Sequence, residues 1–282
     1  MKPANRTFII SGGCSGLGLA TAKNLHADGG YVALLDINAE AGEKAVKDFG
    51  SRAKFFEVDV RDSDSIAKAI EGTVQWVKQT GMEIGGLIPA AGVGFPAKVE
   101  FFIATIFTVQ SILINVQLID GRTGKPTPMD SIDFVLNVNL RGTIDLIRQT
   151  LPHMINVKPL PPDGERGVII MVASSAAFDG QPGQVSYAAS KGGVASLTLP
   201  LSRDLARYGI RAVTIAPALF ESAMTARMGD KVRKSLERVM EFPVRAGKPE
   251  EFASLARQIV ENGMLNGTVV RLDGAMRMPS KM

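Results

Sequence analysis

Short apolar runs alternate with longer amphipathic stretches along nearly the whole chain, and this alternation constrains the fold more than any other feature. The short runs are rich in β-branched residues and mostly lack the period-two pattern of a half-exposed strand. They therefore predict strands that are buried on both faces of a sheet, with helices between them. Because strands and helices alternate, we expect a single α/β domain with a doubly wound parallel sheet. The predicted strands are Thr7–Ile10, Val32–Leu35, Phe55–Val58, Gly86–Ala90, Val168–Val172, Ala212–Ile215 and Thr268–Leu272, and the predicted helices include Asp64–Lys78, Ser131–Val157, Ser186–Tyr208 and Glu250–Glu261.

Composition excludes several classes of protein. The 282 residues are 45% hydrophobic and carry a net charge of only +4, without a dense run of Lys or Arg, so nucleic-acid binding is not expected as the main role. Cys14 is the only cysteine, which excludes an intrachain disulfide and a zinc cluster and favours a reducing compartment. His26 and His153 lie far apart in helical patterns, so we expect no metal site.

A glycine-rich turn follows the first predicted strand directly and leads into a helical pattern. Its sequence is SGGCSGLG over residues 11–18. Gly12 allows a tight turn, Gly16 allows the backbone to approach a pyrophosphate, and Gly18 allows the helix to pack closely on the sheet. The helix N-terminus offers free N–H groups and a positive dipole end to phosphate. In this position the turn predicts a dinucleotide site of the Rossmann type.

An acidic residue, Asp36, ends the second predicted strand. A carboxylate at this place accepts hydrogen bonds from the ribose hydroxyls and repels a 2′-phosphate, so Asp36 favours NAD over NADP. The alternative interpretation is a cap for the helix that follows. Asp59 and Val60 follow the third strand and are expected near the adenine. Cys14 lies in the glycine turn, where a helix dipole can lower a thiol pKa, but we interpret it as a space-filling residue.

Ser174, Tyr187 and Lys191 follow the fifth strand and form a candidate catalytic group. Tyr187 and Lys191 are one helical turn apart, so they project from the same face. An ammonium near a phenol lowers the phenol pKa and enables it to take a proton from an alcohol. Ser174 lies at a strand end, where it can hydrogen-bond the same substrate oxygen. A Tyr and Lys at this spacing are by themselves usually a surface pair, whereas the combination with the dinucleotide turn is far more specific.

These motifs resemble those of the short-chain dehydrogenase/reductase family. The likeness rests on the glycine turn, Asp36, Asn139 within VNL, Ser174 and the Tyr187–Lys191 pair, and it covers the chain from about Arg6 to Met278 except for one internal segment. Within the family it is closest to the type II 3-hydroxyacyl-CoA dehydrogenases. The segments that carry this closer likeness are SGLGLATA, ASSAAFDGQPGQVSYAASKGGVASLTLPLSRDLARYGIR, TIAPALF and MLNGTVVRLDGAMRM.

The resemblance implies a role for individual residues. Four residues would act together in catalysis, with the first holding a water that relays protons from the last: Asn139, Ser174, Tyr187 and Lys191. Ser174 and Gln184 would contact the substrate. The cofactor contacts would be Gly12, Ser15, Gly16, Leu17, Gly18, Asp36, Asp59, Val60, Ala90, Tyr187, Lys191 and Phe220.

Two departures from the family pattern lie beside the expected cofactor. The family's N-x-A-G is PAAG here, so Pro89 removes a backbone donor and a side-chain amide that would tie neighbouring strands together. The family's P-G is Pro217-Ala218, and alanine does not readily adopt a positive φ if that position requires one. Both changes put cofactor affinity in doubt.

The apolar segment Val99–Gln117 has no counterpart in the relatives and permits three interpretations. It is a lid over the substrate cleft, since long loops in compact domains are often functional, or a surface for a partner or a second copy. The third interpretation is a retained intron translated in frame, because removal of the segment restores a family-like connection. Polar residues spread through it argue against a membrane span.

The resemblance implies NAD-dependent oxidation of a short or branched 3-hydroxyacyl-CoA. Oxidation of hydroxysteroids and reduction of 3-oxoacyl thioesters remain alternatives, because they use the same catalytic group. An alternative from another functional class is a scaffold protein that the cofactor stabilises and whose partner contacts matter more than turnover. The family likeness also implies a homotetramer.

The chain ends in Ser280-Lys281-Met282, close to the peroxisomal S-K-L address, and its short N-terminus offers little transit signal. We therefore expect the peroxisome, with the mitochondrion as the alternative.

Overall fold

One parallel sheet organises the computed structural model, which describes residues 1–94, 98–99, 112–113, 117–119, 123–222, 225, 234 and 236–278. Its strands are β1 (Thr7–Ser11), β2 (Tyr31–Asp36), β3 (Ala53–Glu57), β4 (Ile84–Pro89), β7 (Gly167–Val172), β8 (Ile210–Pro217) and β9 (Val269–Leu272). The seven strands lie in the order β3-β2-β1-β4-β7-β8-β9. The chain moves outward from β1 to β3 and then crosses back to β4, so the strand order reverses between β1 and β4. The predicted α/β fold with a doubly wound parallel sheet is confirmed.

The central strands are buried on both faces, as predicted. Successive residues of β1 and β2 point into opposite core layers: Ile9 packs with Leu35 on one side, and Ile10 packs with Leu34 on the other. At the sheet edges the prediction is wrong, because β3 and β9 are only partly buried. The strand predicted at Phe55–Val58 also lies earlier in the chain, at Ala53–Glu57.

Helices cover both faces of this sheet. They are α1 (Gly16–Ala27), α2 (Ala39–Phe49), α3 (Ser63–Thr80), α4 (Met129–Leu136), α5 (Gly142–Met154), α6 (Val185–Leu205) and α7 (Pro249–Glu261). The pattern that predicted one helix over Ser131–Val157 is divided in the structure between α4 and α5. A π turn at Asn137–Arg141 joins these two helices. Such turns interrupt a helix without ending it, and they are frequent at functional sites.

Two predictions fall mainly outside the described residues. Of the insert Val99–Gln117, the structure describes two short strands, β5 (Lys98–Val99) and β6 (Ile112–Leu113), which pair antiparallel, and residue 117. Most of the insert and the whole C-terminal tripeptide 280–282 are not described, so their interpretations stay predictions. Among the helices of the described ranges, none combines the length and the apolar character that a membrane crossing requires.

Candidate active site

A cleft of about 740 Å³ opens at the carboxyl ends of the strands. In open α/β sheets this edge is where ligands bind, next to the point at which the strand order reverses. Every predicted cofactor and substrate residue lines the cleft: Gly12, Ser15, Gly16, Leu17, Gly18, Asp36, Asp59, Val60, Ala90, Ser174, Gln184, Tyr187, Lys191 and Phe220. Asn139 is absent from this lining and lies one layer behind it, 1% exposed.

The glycine turn has the geometry that its sequence predicts. Gly12 has a φ of +64°, and a Cβ at this position would lie 2.9 Å from the backbone nitrogen of Ala91. A Cβ on Gly18 would lie 2.2 Å from the carbonyl oxygen of Gly12, so α1 can pack against the turn only without a side chain there. Gly16 has a φ of +50°, and a Cβ added there would come no closer than 3.7 Å to Ser222, its nearest contact beyond the adjacent chain, so space remains on the cleft side.

The N-terminus of α1 offers backbone N–H groups to the cleft. Ser15 is the N-cap residue, and its side chain makes no capping hydrogen bond. The first N–H that bonds back into the helix is that of Leu19, which donates to the Ser15 carbonyl oxygen at 3.0 Å. The preceding N–H groups of the first turn are thus available to an anion, and the helix dipole favours negative charge at the same place.

The Asp36 carboxylate binds backbone N–H groups of the glycine turn and of the segment before α2, and it does not cap α2. Its carboxylate accepts hydrogen bonds from the backbone N–H of Cys14 at 3.2 Å and of Asn38 at 3.1 Å. The N-cap of α2 is Asn38, whose side chain accepts from the N–H of Ala41. The alternative interpretation of Asp36 as the helix cap is therefore wrong, and the carboxylate faces the cleft.

Asp59 is held by an arginine that the sequence motifs did not indicate. The Nε of Arg61 donates to both carboxylate oxygens of Asp59, at 2.9 and 3.0 Å. These hydrogen bonds hold the pKa of Asp59 below its usual range. Arg61 also lines the cleft, with its guanidinium 5.5 Å from the ring centroid of Phe134. The basic side chain of Arg61 in the cleft is thus paired with a carboxylate.

Ser174 and Tyr187 both line the cleft and lie within hydrogen-bonding distance of each other. Ser174 follows the end of β7, and its hydroxyl accepts a hydrogen bond from the backbone N–H of Ala176 at 3.2 Å. A second hydrogen bond joins Ser174 to the Tyr187 side chain. Burial raises the pKa of the Tyr187 phenol, and the bond to Ser174 offsets part of this effect.

Lys191 lies beneath Tyr187 on the same face of α6. Its Nζ is 5.9 Å from the ring centroid of Tyr187 and donates to the carbonyl oxygen of Val172 at 2.9 Å. Burial lowers the pKa of this ammonium from 10.5 to about 8. The spacing predicts a phenol pKa below its usual value, but the pKa of Tyr187 is raised overall because burial is the largest influence on it.

Asn139 fixes the wall of the cleft from behind, within the π turn. Its side-chain nitrogen donates to the Val93 carbonyl at 3.0 Å and to the Ser190 hydroxyl at 3.1 Å, and its oxygen accepts from the Val93 N–H at 2.8 Å. A Cβ on Gly92 would lie 3.3 Å from the Asn139 oxygen and 3.4 Å from the Lys191 Nζ. The glycine therefore leaves these two polar atoms facing the same small space.

The two departures from the family pattern do not disturb the backbone of the cleft. At Pro89, strands β1 and β4 remain tied because the N–H of Ala91 donates to the Ser11 hydroxyl at 3.2 Å. Ala218 is not among the described non-glycine residues with positive φ, which are Asn5 and Ala275. The strain considered for Ala218 is therefore absent, and its N–H donates to the Leu272 carbonyl at 3.1 Å.

Cys14 is buried beside the glycine turn. Burial and, to a smaller extent, the neighbouring Asp36 carboxylate raise the pKa of its thiol to about 12. A thiolate is the reactive form of cysteine. The interpretation of Cys14 as a space-filling residue agrees with this environment.

The apolar wall of the cleft was not predicted. It is formed by side chains from the segments after β8 and β9, namely Leu219, Leu236, Met276 and Met278. These segments are separate in the sequence, and although TIAPALF and MLNGTVVRLDGAMRM carry part of the family likeness, no local pattern indicates that their side chains meet. Their assembly in the same cleft as Ser174 and Tyr187 depends on tertiary packing.

Comparisons with known proteins agree with this geometry. Residues 6–233 match the family model of the short chain dehydrogenases. The chain is 38% identical to a 3-hydroxyacyl-CoA dehydrogenase type-2 of Bos taurus over 96% of this chain and 94% of that protein. It is 37% identical to the protein of the same name from Drosophila melanogaster, over 97% of this chain and 98% of that protein. The crystal structure of a 3-hydroxyacyl-CoA dehydrogenase type-2 from Mycobacterium avium superposes with a TM-score of 0.84 at 34% identity and covers 98% of this chain and 97% of that chain.

The family model spans most of the chain, and the relatives align over almost their whole length. The glycine turn and the group of Ser174, Tyr187 and Lys191 lie in one cleft at the carboxyl ends of the strands, where open α/β sheets bind ligands. The chain therefore belongs to the short-chain dehydrogenase/reductase family and is an oxidoreductase.

Proposed function

We propose that this oxidoreductase uses NAD to oxidise the 3-hydroxyl group of short or branched 3-hydroxyacyl-CoA molecules. The observation that carries the reaction type is the meeting of Ser174, Tyr187 and Lys191 beside the glycine turn in one cleft. The substrate class rests on the similarity to proteins named 3-hydroxyacyl-CoA dehydrogenase type-2. The apolar wall that contains Leu219 and Met276 is consistent with an acyl chain beside a polar catalytic group.

The residues of the turn fit a dinucleotide. At Gly12 and Gly18 a Cβ would collide with backbone, and at Gly16 the space toward the cleft is open. The uncapped first turn of α1 would hold the pyrophosphate, and Asp36 would hold the adenosine ribose. When bound, the nicotinamide supplies the acceptor for the hydrogen and the electron pair that leave the carbinol carbon.

The chain's own residues then handle the hydroxyl proton. The Ser174 hydroxyl and the Tyr187 phenolate oxygen hold the substrate hydroxyl between them, and the phenolate accepts its proton. The Lys191 ammonium stabilises the phenolate that this proton transfer requires. Asn139 fixes the Val93 loop and, through the Ser190 hydroxyl, which donates to the Tyr187 carbonyl at 2.7 Å, the backbone that carries the tyrosine.

The test is the rate of NADH formation with purified protein. 3-Hydroxybutyryl-CoA and an α-methyl-branched 3-hydroxyacyl-CoA should be oxidised with a higher kcat/KM than hydroxysteroids, and acetoacetyl-CoA should be reduced in the reverse direction. A higher kcat/KM for hydroxysteroids would overturn the substrate class and leave the reaction type standing. An absence of turnover on all of these substrates, with NAD still bound, would favour the cofactor-stabilised scaffold.

A further inference from the structure

Arg271, in the last strand, forms an ion pair with Asp179, and neither residue belongs to the proposed catalytic group. Its Nη1 donates to one carboxylate oxygen of Asp179 at 3.3 Å, and its Nη2 donates to the other. Both side chains are largely enclosed, with 22% of Arg271 and 17% of Asp179 exposed. The ring of Phe178 lies 5.2 Å from the guanidinium and covers it on one side. A bidentate, partly desolvated pair of this kind fixes orientation as well as distance.

The same guanidinium organises the turn that follows β9. Its Nε donates to Asp273 at 2.6 Å, and its Nη2 also donates to the Met276 carbonyl oxygen at 3.0 Å. The second oxygen of Asp273 accepts from the N–H of Ala275 at 3.1 Å, and Ala275 has a φ of +60°. Arg271 therefore contacts both ends of a turn that contains a residue in a strained backbone conformation.

The two segments that Arg271 joins form different parts of the same cleft. Asp179 belongs to the loop between Ser174 and Tyr187, in which Gln181 and Gln184 also line the cleft. On the other side of the ion pair, the turn leads to Met276 and Met278, which form part of the apolar wall.

We propose that Arg271 is a positioning residue that sets which acyl chains the cleft accepts. Through Asp179 and the Met276 carbonyl, it holds the wall of Met276 and Met278 at a fixed distance from the loop that carries the catalytic serine. Methionine side chains are flexible and adapt to their surroundings, so a wall built from them needs its backbone to be fixed. A lysine in place of Arg271 would lack the planar fork that reaches Asp179 and Asp273 together.

The substrate class in this inference rests on the proposed function, whereas the position of the wall rests only on the contacts described above. The test uses the full chain with Arg271→Met, Asp179→Asn and the double variant. Arg271→Met keeps most of the aliphatic stem and removes the hydrogen bonds, and Asp179→Asn weakens the same contact from the other side. The matched control is Arg211→Met. Arg211 is also a buried arginine, bound to Glu165 and to the carbonyl oxygens of Ile259, Val260 and Leu265. It lies at the amino end of its strand, away from the cleft at the carboxyl ends.

The first readout is kinetic. Arg271→Met and Asp179→Asn should raise the KM for the short 3-hydroxyacyl-CoA and reduce its kcat/KM advantage over a long-chain substrate by about tenfold, with the Kd for NAD unchanged. The double variant should be no worse than Arg271→Met, because Arg271→Met already removes the contact that Asp179→Asn weakens. Arg211→Met should lower the Tm without changing this selectivity. Selectivity equal to the parent's in Arg271→Met, or an equal change in Arg211→Met, would overturn the proposal.

The second readout does not depend on the substrate. In protein with 13C-labelled methionine methyl groups, Arg271→Met and Asp179→Asn should shift or broaden the resonances of Met276 and Met278. The resonance of Met154, which is buried beside Gly167 at the amino end of β7, should stay unchanged and so report that the variant is folded. Unchanged Met276 and Met278 resonances would refute the proposal even if the proposed substrates proved wrong. If the parent oxidises no acyl-CoA but these two resonances move, the proposed function fails and the positioning role stands.

Discussion

The Lys191 ammonium donates a 2.9 Å hydrogen bond to the carbonyl oxygen of Val172. Val172 is the last residue of β7, immediately before the segment that carries Ser174. The lysine of α6 is thus anchored to the strand that positions the serine, and it is buried there with a pKa of about 8. A buried ammonium with a lowered pKa has consequences for stability as well as for catalysis.

We expect Lys191 to make the stability of the protein depend on pH between about 8 and 10.5. Below this window the lysine is protonated in both the folded and the unfolded chain, and above it the lysine is neutral in both. Within the window Lys191 binds more protons in the unfolded chain, so its contribution to the free energy of unfolding rises with pH, by up to about 3 kcal/mol. Cys14 and Tyr187, whose pKa values burial raises, act in the opposite direction in the parent and in Lys191→Met alike. Urea denaturation at several pH values should therefore show that the difference in free energy of unfolding between the parent and Lys191→Met rises with pH. Lys44→Met, which removes an exposed lysine, controls for the loss of one charge, and parallel pH curves for the parent and Lys191→Met would contradict the prediction.

Tyr187→Phe should abolish turnover and leave NAD binding nearly intact. The substitution removes the proton acceptor and keeps the aromatic ring on the same face of α6, so the loss in kcat should be on the order of a hundredfold to ten-thousandfold. Steady-state kinetics and titration calorimetry with NAD measure the two effects separately. Tyr208→Phe, outside the cleft, should behave like the parent. Residual activity of Tyr187→Phe within about tenfold of the parent would remove the tyrosine from the proposed catalytic group.

Asp36 should give the enzyme a preference for NAD over NADP of about a hundredfold in affinity, because its carboxylate repels a 2′-phosphate. Asp36→Ala should lower the affinity for NAD and reduce this preference. Glu57→Ala is the matched control, since Glu57 is an exposed carboxylate that lies beside Asp36 in the register of β2 and β3. Equal kcat/KM for the two cofactors in the parent would show that Asp36 does not make the discrimination.

Gly18→Ala should lower both stability and cofactor affinity. A Cβ there would meet the Gly12 carbonyl oxygen at 2.2 Å, so α1 must move away from the turn, at a cost of about 1–3 kcal/mol. Gly192→Ala provides the control: it is also a helical glycine, and the nearest atom outside its own helix is 3.9 Å from the added Cβ. It should leave NAD affinity unchanged and raise the Tm, since alanine favours a helix by about 1 kcal/mol over glycine. Equal NAD affinity in Gly18→Ala and the parent would show that close packing of α1 is not required.

Deletion of residues 99–117 should leave a folded, active protein that assembles as a homotetramer. The segment is apolar and lies between β4 and α4, and its short strands are outside the strand order of the main sheet, so its removal leaves that sheet intact. Light scattering of the full chain and of the deletion variant measures the assembly state, and NADH formation measures the activity. A stable and active monomer would refute the tetramer. Loss of activity in a folded deletion variant would favour the lid interpretation of the insert.

The fold, the glycine turn, Asp36 and the group of Ser174, Tyr187 and Lys191 followed from local patterns in the sequence. Gly12, Gly18 and Asp36 could be identified because a tight turn, a close helix contact and a strand end each require a particular residue type at a particular spacing. Tyr187 and Lys191 could be paired because one turn of helix places them on one face. These requirements are local. The alternation of strands and helices then brings the residues together, because parallel strands place their carboxyl ends at the same edge of the sheet.

Other properties were decided by tertiary structure, because they depend on what packs around a residue. Burial raises the pKa of Tyr187 and lowers that of Lys191, whereas the spacing of the two residues alone predicted a lower phenol pKa. The ion pair of Asp179 and Arg271 joins residues that are 92 positions apart, and no local pattern indicates it. By itself the sequence determined which residue types stand at the turn and on the catalytic helix. The dielectric environment of those residues and the apolar wall opposite them arise only when distant segments exclude water from the same cleft.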